Sequence, residues 1–499
     1  MEKKGSITIF LALILSLMLS LVATSIQSVQ MAAARTQILN SVDIGLYSLF
    51  GQYDKYLLKN YDLFFIDGAQ GGSELNLASV YDNFEKYMKP VLKQNSQNLT
   101  IKRGGFTGYR LASDDDGEVF YRQVVTYMKE TLETQGVSAI IDRYKDKTDD
   151  VKQAENSGKQ AENGNTLENY DSEMNSAAQK SEELKEERDK AQSGGDDLDG
   201  DDLSAAGDAT EVTVAPKVVN PIPIIQNIRK MGLLDLIVPS EKGISDKEVS
   251  YSNLMSHRNL NKGMSMASDE TKDDSATSKA LFQQYLMKHL GSYTNPSSSG
   301  LSYQLEYIIG GKDNDRDNLK AVAERLLLIR EGINLSCIMA DVEKREEIHG
   351  LAVVIAAGFL VPPAAAVIEA ALLLCWSFAE SILDLRELFA GGKVALLKTG
   401  AKWQLSLENL PDLMKNLDSS RKSDTDGMSY EDYLQILILT KSKSEKIKMS
   451  MDMIESDIRG ASGRENFCMD NCIEALEISV DVLANKKQTY TVTRQYSYS

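Results

Sequence analysis

The residue types that do most enzyme chemistry are sparse and far apart in this 499-residue chain. Its three histidines, His257, His289 and His349, stand in separate regions, and none falls in an H-E-x-x-H turn or beside a cysteine pair, the spacings that bring zinc ligands onto one face. The four cysteines, Cys337, Cys375, Cys468 and Cys472, are too few and too scattered for a disulfide framework. Cys468 and Cys472 are four apart in a predicted helix, where two thiols share a face, but no further cysteine or histidine lies nearby to complete a metal site. No G-x-S-x-G elbow and no G-x-G-x-x-G turn after a strand occurs, and Gly391-Gly392-Lys393 lacks the flanks of a phosphate-cradling loop.

Carboxylates are plentiful, and two clusters of them invite a calcium reading. The run from Ser193 to Asp202 is rich in Gly and Asp but does not keep the spacing of a calcium loop, so a solvated linker is expected. Asp313, Asp315, Asp317 and Glu324 do fall at calcium-loop offsets, yet Asn318 stands where the sharp turn needs glycine. Acids just before a helix also cap its free N–H groups, and capping is the expected role here. The aromatics Trp376, Phe378, Phe389 and Trp403 sit in the most apolar third of the chain, where core packing is the expected fate and a ligand pocket the alternative. No catalytic, metal or cofactor-binding residue is assigned, no cofactor is expected, and the chain is not expected to be an enzyme.

The elements explain this poverty of motifs. Between Ile7 and Ile26 there is no charge and no proline. At roughly 1.5 Å per residue such a run covers about 30 Å, the thickness of a hydrocarbon core. Lys3 and Lys4 precede it and the next basic residue is Arg35, so the positive-inside bias places a short N-terminus in the cytoplasm and the rest of the chain outside. Ala12, Ser16, Ser20 and Ala23 form a row of small residues at the spacing that lets membrane helices approach closely. A cleaved secretory signal ending near Ala32-Ala33-Ala34 is the competing reading, although the apolar core is longer than most signal cores. Beyond the run, Ile38, Val42, Leu46, Leu49, Tyr53 and Leu57 recur at helical steps and predict one helix continuing out of the bilayer. A net charge of −18 excludes phosphate-backbone binding, which needs clustered Lys and Arg, so the expected partners are the lipid bilayer and other envelope proteins, not nucleic acid.

The expected fold class is α+β, mainly helical, with a small antiparallel sheet that includes a C-terminal hairpin. Residues 1–5 are a cytoplasmic stub, 6–28 the membrane helix, and 29–147 its extension and the first part of the outer domain, with helices at Val80–Met88 and Phe120–Leu132 and a short strand at Leu99–Ile101. Residues 148–210 read as an acidic, partly helical and partly disordered spacer, too poor in large apolar residues to offset its ordering entropy. The main domain, 211–499, begins with an edge strand at 211–219, a helix from Ile224 to Ile237 and a helix from Ser278 to Leu290. A second apolar run, 350–378, is long enough for another membrane span. Pro362-Pro363 and the acid Glu369 favour instead a buried helical hairpin over 350–390. At the end, Leu476, Ile478, Val480 and Val482 alternate with polar residues, and a second alternating run from Tyr490 to Tyr498 follows: a hairpin with one buried face.

Two resemblances attach to particular stretches. The segments WSFAESILDLRELFAGGKVALLKTGAKWQLSLENL (376–410), YIIGGKDNDRDNLKAVAERLLLIREGINL (307–335) and SYEDYLQILIL (429–439) resemble the domain-of-unknown-function family 5702, uncharacterised bacterial envelope proteins found mainly in Firmicutes. That likeness implies a place in the envelope and no particular reaction. The start, Lys4-Gly5-Ser6-Ile7-Thr8-Ile9-Phe10-Leu11, resembles the helix entry of minor pilin-like proteins of tight-adherence (Tad) pilus systems. By that pattern Gly5 ends a leader and Ser6 begins the mature helix, although the fifth mature position, usually Glu in pilins, is Phe10 here. The expected function is therefore a non-enzymatic, membrane-anchored structural or assembly protein, a pseudopilin-like component of a Tad-type pilus or secretion apparatus. The alternative is a tethered extracellular binding protein that captures a wall or small-molecule ligand through residues 350–405.

Overall fold

The uninterrupted apolar run becomes part of a single helix, α1 (Lys3–Phe50), in a computed structural model that describes residues 3–94, 98–132, 134–192, 219–266, 273–358, 364–419, 422–486 and 488–498. Residues 7–30 of α1 are all exposed. From Ala34 onward one face is buried, through Ile38, Val42, Leu46 and Leu49. The helix does not continue to Leu57, as the periodicity suggests. It ends at Phe50, and Asp54 starts a new helix, α2 (Lys55–Tyr61), by accepting the Tyr56 and Leu57 N–H groups at 2.8 and 3.0 Å. Leu57 then enters a different core from the one Leu49 serves.

The packed half of α1 lies with α3 (Leu77–Leu92) on one face of an antiparallel sheet. The strands are β1 (Ile66–Asp67), β2 (Leu99–Leu111), β3 (Cys472–Ala484) and β4 (Gln488–Ser497). β3 is central, with β2 along one side and β4 and the short β1 along the other. The hairpin has the expected alternation: Leu476, Ile478, Val480 and Val482 face the helices, and Asn485 and Lys486 take positive φ in the turn. β2 is much longer than the three residues its sequence suggests. Gly104, Gly105 and Gly108 and three register shifts hide its alternation, and Gly104 leaves room for the Tyr81 hydroxyl, which a Cβ there would meet at 2.1 Å and have to displace.

A larger helical core holds the rest. Here lie α4 (Asp114–Thr131), α5 (Thr134–Asn163), α6 (Thr166–Gln192), α7 (Ile222–Arg229), α8 (Leu233–Ile237), α9 (Ala276–His289) and α10 (Gln304–Gly310). They are followed by α11 (Asp315–Ala340), α12 (Val342–Gly358), α13 (Ala365–Ala390), α14 (Leu413–Asn416), α15 (Tyr430–Leu439) and α16 (Lys443–Arg459). The polar stretch read as a spacer is helical up to Gln192, and α5 packs tightly on α11. Val151 and Ala154 are buried there, and Gly158 faces Leu328 while Gly332 faces Ala154 so closely that a Cβ on either glycine would lie 2.0 Å from a carbonyl oxygen. The Gly/Asp run 193–202 and the edge-strand residues 211–218 lie outside the described residues. The helix expected over Ile224–Ile237 is two helices, because Met231-Gly232 interrupts it.

The second apolar run is a pair of helices packed on each other, α12 and α13; its proline pair lies outside the described residues. Every residue of α13 from Cys375 to Phe389 is buried, whereas none of the apolar stretch of α1 is. α13 therefore already has protein around the surface that lipid would otherwise have to cover.

Candidate functional site

The exposed half of α1 is the most unusual surface on the molecule. Leu11, Leu13, Leu17 and Leu21, more than 60% exposed, are among side chains that project on all sides of it, so no single face can be assigned to a missing helix of the same domain. Two of its hydroxyls fold back onto the helix: Thr24 Oγ1 donates to the Ser20 carbonyl at 2.9 Å and Ser25 Oγ to the Leu21 carbonyl at 2.8 Å. At about 1.5 Å per residue, residues 7–30 span roughly 36 Å, enough to cross a bilayer with some tilt. The domain begins at Gln37, whose Nε2 donates to the Leu92 carbonyl at 3.1 Å and pins α1 to the end of α3. Lower down the same contact, Gly45 admits Phe84, which a Cβ would meet at 2.7 Å.

The residues singled out in the sequence fall here. Gly5 and Ser6 are in the first turns of α1, with no break between them. Ala12, Ser16, Ser20 and Ala23 are exposed along one stripe of the helix. Followed at helical spacing, that stripe reaches Ala34, Ser41 and Gly45, the small residues against which the domain itself packs.

Other candidates resolve into structure. Among the described residues no three metal-binding side chains converge. The acids before α11 are occupied: Asn314 caps the Asp317 N–H at 2.8 Å, and fully buried Asp315 accepts the N–H groups of Ser302 and Tyr303 at 2.9 and 3.0 Å. Asn318 uses its side chain to close the turn on Lys312, 2.7 Å from the backbone N–H. His349 meets Glu369 at 3.0 Å between α12 and α13. Cys468 and Cys472 are not on a helix: Cys468 precedes a short 3-10 turn and Cys472 opens β3, because the strand pairing claims the second residue. Trp376 and Trp403 pack edge to face at 5.3 Å, and Trp376 Nε1 donates to the Leu405 carbonyl at 2.8 Å, so these rings serve the core.

Two features escaped the sequence. The first is a buried ionic cluster in which Arg330 donates to Asp384 at 2.8 and 3.0 Å, Lys398 donates to Asp384 at 2.6 Å and also to Glu380, and Asn334 donates to Asp384 at 3.0 Å. Burial alone would raise the Asp384 carboxyl, but Arg330 and Lys398 hold it below its ordinary value. Glu380 in turn accepts the Gln404 and Leu405 N–H groups at 2.8 and 3.0 Å, so the cluster fastens the loop after α13 onto that helix. Its trace in the sequence is Glu380 and Asp384, four apart in the apolar helix α13, where Glu369, Arg386 and Glu387 also stand and hide the pair. The second is a polar cleft of about 800 Å³ beside the start of α4, where Asp115, Asp116 and Gly117 are all left-handed. Two of its charged groups are engaged: Arg258 with Glu455 and Asp470, each at 2.5 Å, and Asp114 with the N–H groups of Leu111 and Gly263 at 2.7 and 2.8 Å.

A family model described as a family of unknown function, DUF5702, matches residues 212–484, more than half of the chain. The match begins beyond α1 and ends with the last residue of β3. No curated protein and no solved structure matches the chain.

Proposed function

Since the chain belongs to DUF5702, a family of unknown function, we propose from its own geometry that it is a non-enzymatic, membrane-anchored assembly protein of the cell envelope. One observation carries the reading. A single helix is apolar from Ile7 to Ile26 and uncovered over residues 7–30, and its second half packs on an antiparallel sheet. Leaving so much apolar surface in water would cost about 25 cal/mol per Å², whereas lipid removes that cost. Lys3 and Lys4 before the run orient the N-terminus to the cytoplasm and the domain to the outside.

Assembly is the finer part of the proposal. Neighbouring copies or other envelope proteins meet through the stripe Ala12, Ser16, Ser20 and Ala23, as in a minor pilin-like subunit of a Tad-type pilus or secretion apparatus. A helix exposed in its first half and packed on a small sheet in its second suits such a subunit, and the Gly5-Ser6 junction supports leader processing there. Single cysteines placed at 12, 16, 20 and 23 test this in intact membranes: oxidative crosslinking is expected at these positions and not at 13, 17 or 21. Equal crosslinking around the helix, or none, rejects the packing stripe, and recovery of the chain from the soluble fraction rejects the anchor.

A further inference from the structure

The two edges of the sheet are finished differently. β2 is irregular, with three register shifts, and its Tyr109 N–H and carbonyl are taken by Met264 at 2.9 Å each. β4 is regular: its ten pairs with β3 follow one another without a shift, and among the described residues no strand or bridge pairs with its outer side. Residues 488–497 contain no proline or lysine, the residues that commonly blunt a bare edge, and their single charge, Arg494, is bound to Asp43 at 2.8 Å. Such an edge offers a row of backbone N–H and C=O groups to another strand.

The side chains beside the edge describe the strand that fits it. Tyr490, Val492, Arg494 and Tyr496 stand opposite Val482, Val480, Ile478 and Leu476 and face the helices, whereas Thr489, Thr491, Thr493 and Gln495 face away and are exposed. On the helix side the rim is aromatic: Tyr496 is 37% exposed, and Tyr47 of α1, 69% exposed, meets it edge to face at 6.4 Å. An added strand would lay every second side chain against these rings and the others beside the threonines. A second copy of the chain does not fit. Asp43 lies at Arg494 and Phe50 at Tyr496 and Tyr498, so α1 runs alongside β4 in the same direction. Two β4 edges joined about a two-fold axis pair antiparallel. That would point the exposed halves of their α1 helices opposite ways, which two copies held in one bilayer cannot do.

We propose that the outer edge of β4 receives, as an added strand, an extended segment of another protein in which apolar or aromatic residues alternate with small polar ones. This goes beyond the anchoring role, and only the exclusion of a second copy rests on that role. The test uses the full chain in lipid nanodiscs and, as probe, an end-blocked synthetic peptide with the sequence of residues 488–497, QTYTVTRQYS, which has the required alternation and carries no helix to restrict its direction. Hydrogen exchange followed by mass spectrometry should slow over 488–498 and stay unchanged over 99–111. Only one edge of the peptide can meet β4, so N-methylating one set of alternate residues should weaken binding at least about tenfold, and N-methylating the other set should leave it intact. Tyr47→Asp, at an exposed position, should weaken it about threefold to fivefold. No slowing with millimolar peptide, equal binding of the two methylated peptides, or slowing confined to 99–111 would overturn the docking edge, and faster exchange over 488–498, the sign of β4 being replaced, would do the same. Disulfide-linked dimers formed through Thr493→Cys in intact membranes and absent from the parent chain would overturn the choice of partner in favour of a second copy. The peptide result does not depend on the anchor.

Discussion

Glu306 shows what a single buried acid does to this domain. It is fully enclosed on α10, its Oε1 accepts the Tyr293 N–H at 2.8 Å and the Tyr430 hydroxyl at 2.9 Å, and its Oε2 has no partner among the described residues. Burial, with Asp315 adding to it, pushes the carboxyl up from 4.5 to about 7. A carboxyl that binds its proton more tightly when folded stabilises fully below pH 4.5, and that contribution is lost as pH rises through about 7. Urea midpoints followed across this range should therefore fall with pH, and Glu306→Gln should flatten the fall; an unchanged slope would count against Glu306 as its source. Asp384 has the opposite setting, because two buried cations depend on it. Asp384→Ala should cost about 3–5 kcal/mol in urea unfolding, and the paired change Arg330→Met/Asp384→Leu should cost less than Asp384→Ala alone if charge burial is the cause. Neither residue stood out in the sequence, where they are two acids among 73 acidic residues. Their roles depend on partners up to 124 positions away, as with Tyr430 and Glu306.

At the scale of elements, legibility followed how local the cause was. The C-terminal hairpin was plain because alternation and turn both lie within it. The α12–α13 pair was plain because a proline pair divides an apolar run. β2 was nearly invisible, since Gly104 faces Tyr81, Gly108 faces Met264 and Met266, and its bulges are set by β3. The helices of residues 148–192 were read as spacer because a polar composition conceals the small-residue seam by which α5 meets α11. That seam gives a sharp expectation: Gly332→Ala, which drives a Cβ into the Ala154 carbonyl, should destabilise by about 1–3 kcal/mol or more. Gly45→Ala meets the edge of the Phe84 ring at 2.7 Å and Met88 Cβ at 3.2 Å, side-chain atoms instead of backbone, and should cost less. Thermal melting of the two variants side by side checks the order.

For the molecule as a whole, the exposed apolar half of α1 was legible from charge and hydropathy alone, while the packing of α5, α9 and α15 on one another was not, because it joins distant stretches of the chain. None of residues 7–30 is buried, so a chain beginning at Ala34 should keep the circular dichroism and melting profile of the full protein and sediment as a soluble species. Loss of the fold in that truncation would mean that the apolar half supports the body directly. The continuity of α1 has a mechanical consequence. With no proline or glycine between Ser6 and Ile44, the rod has no joint between its exposed half and the half packed in the body. If the exposed end is held in a bilayer, as proposed, a sideways load on the body is delivered to that end as torque, and a twist begun there reaches β3 and β4 along a stiff shaft instead of dissipating in a tether.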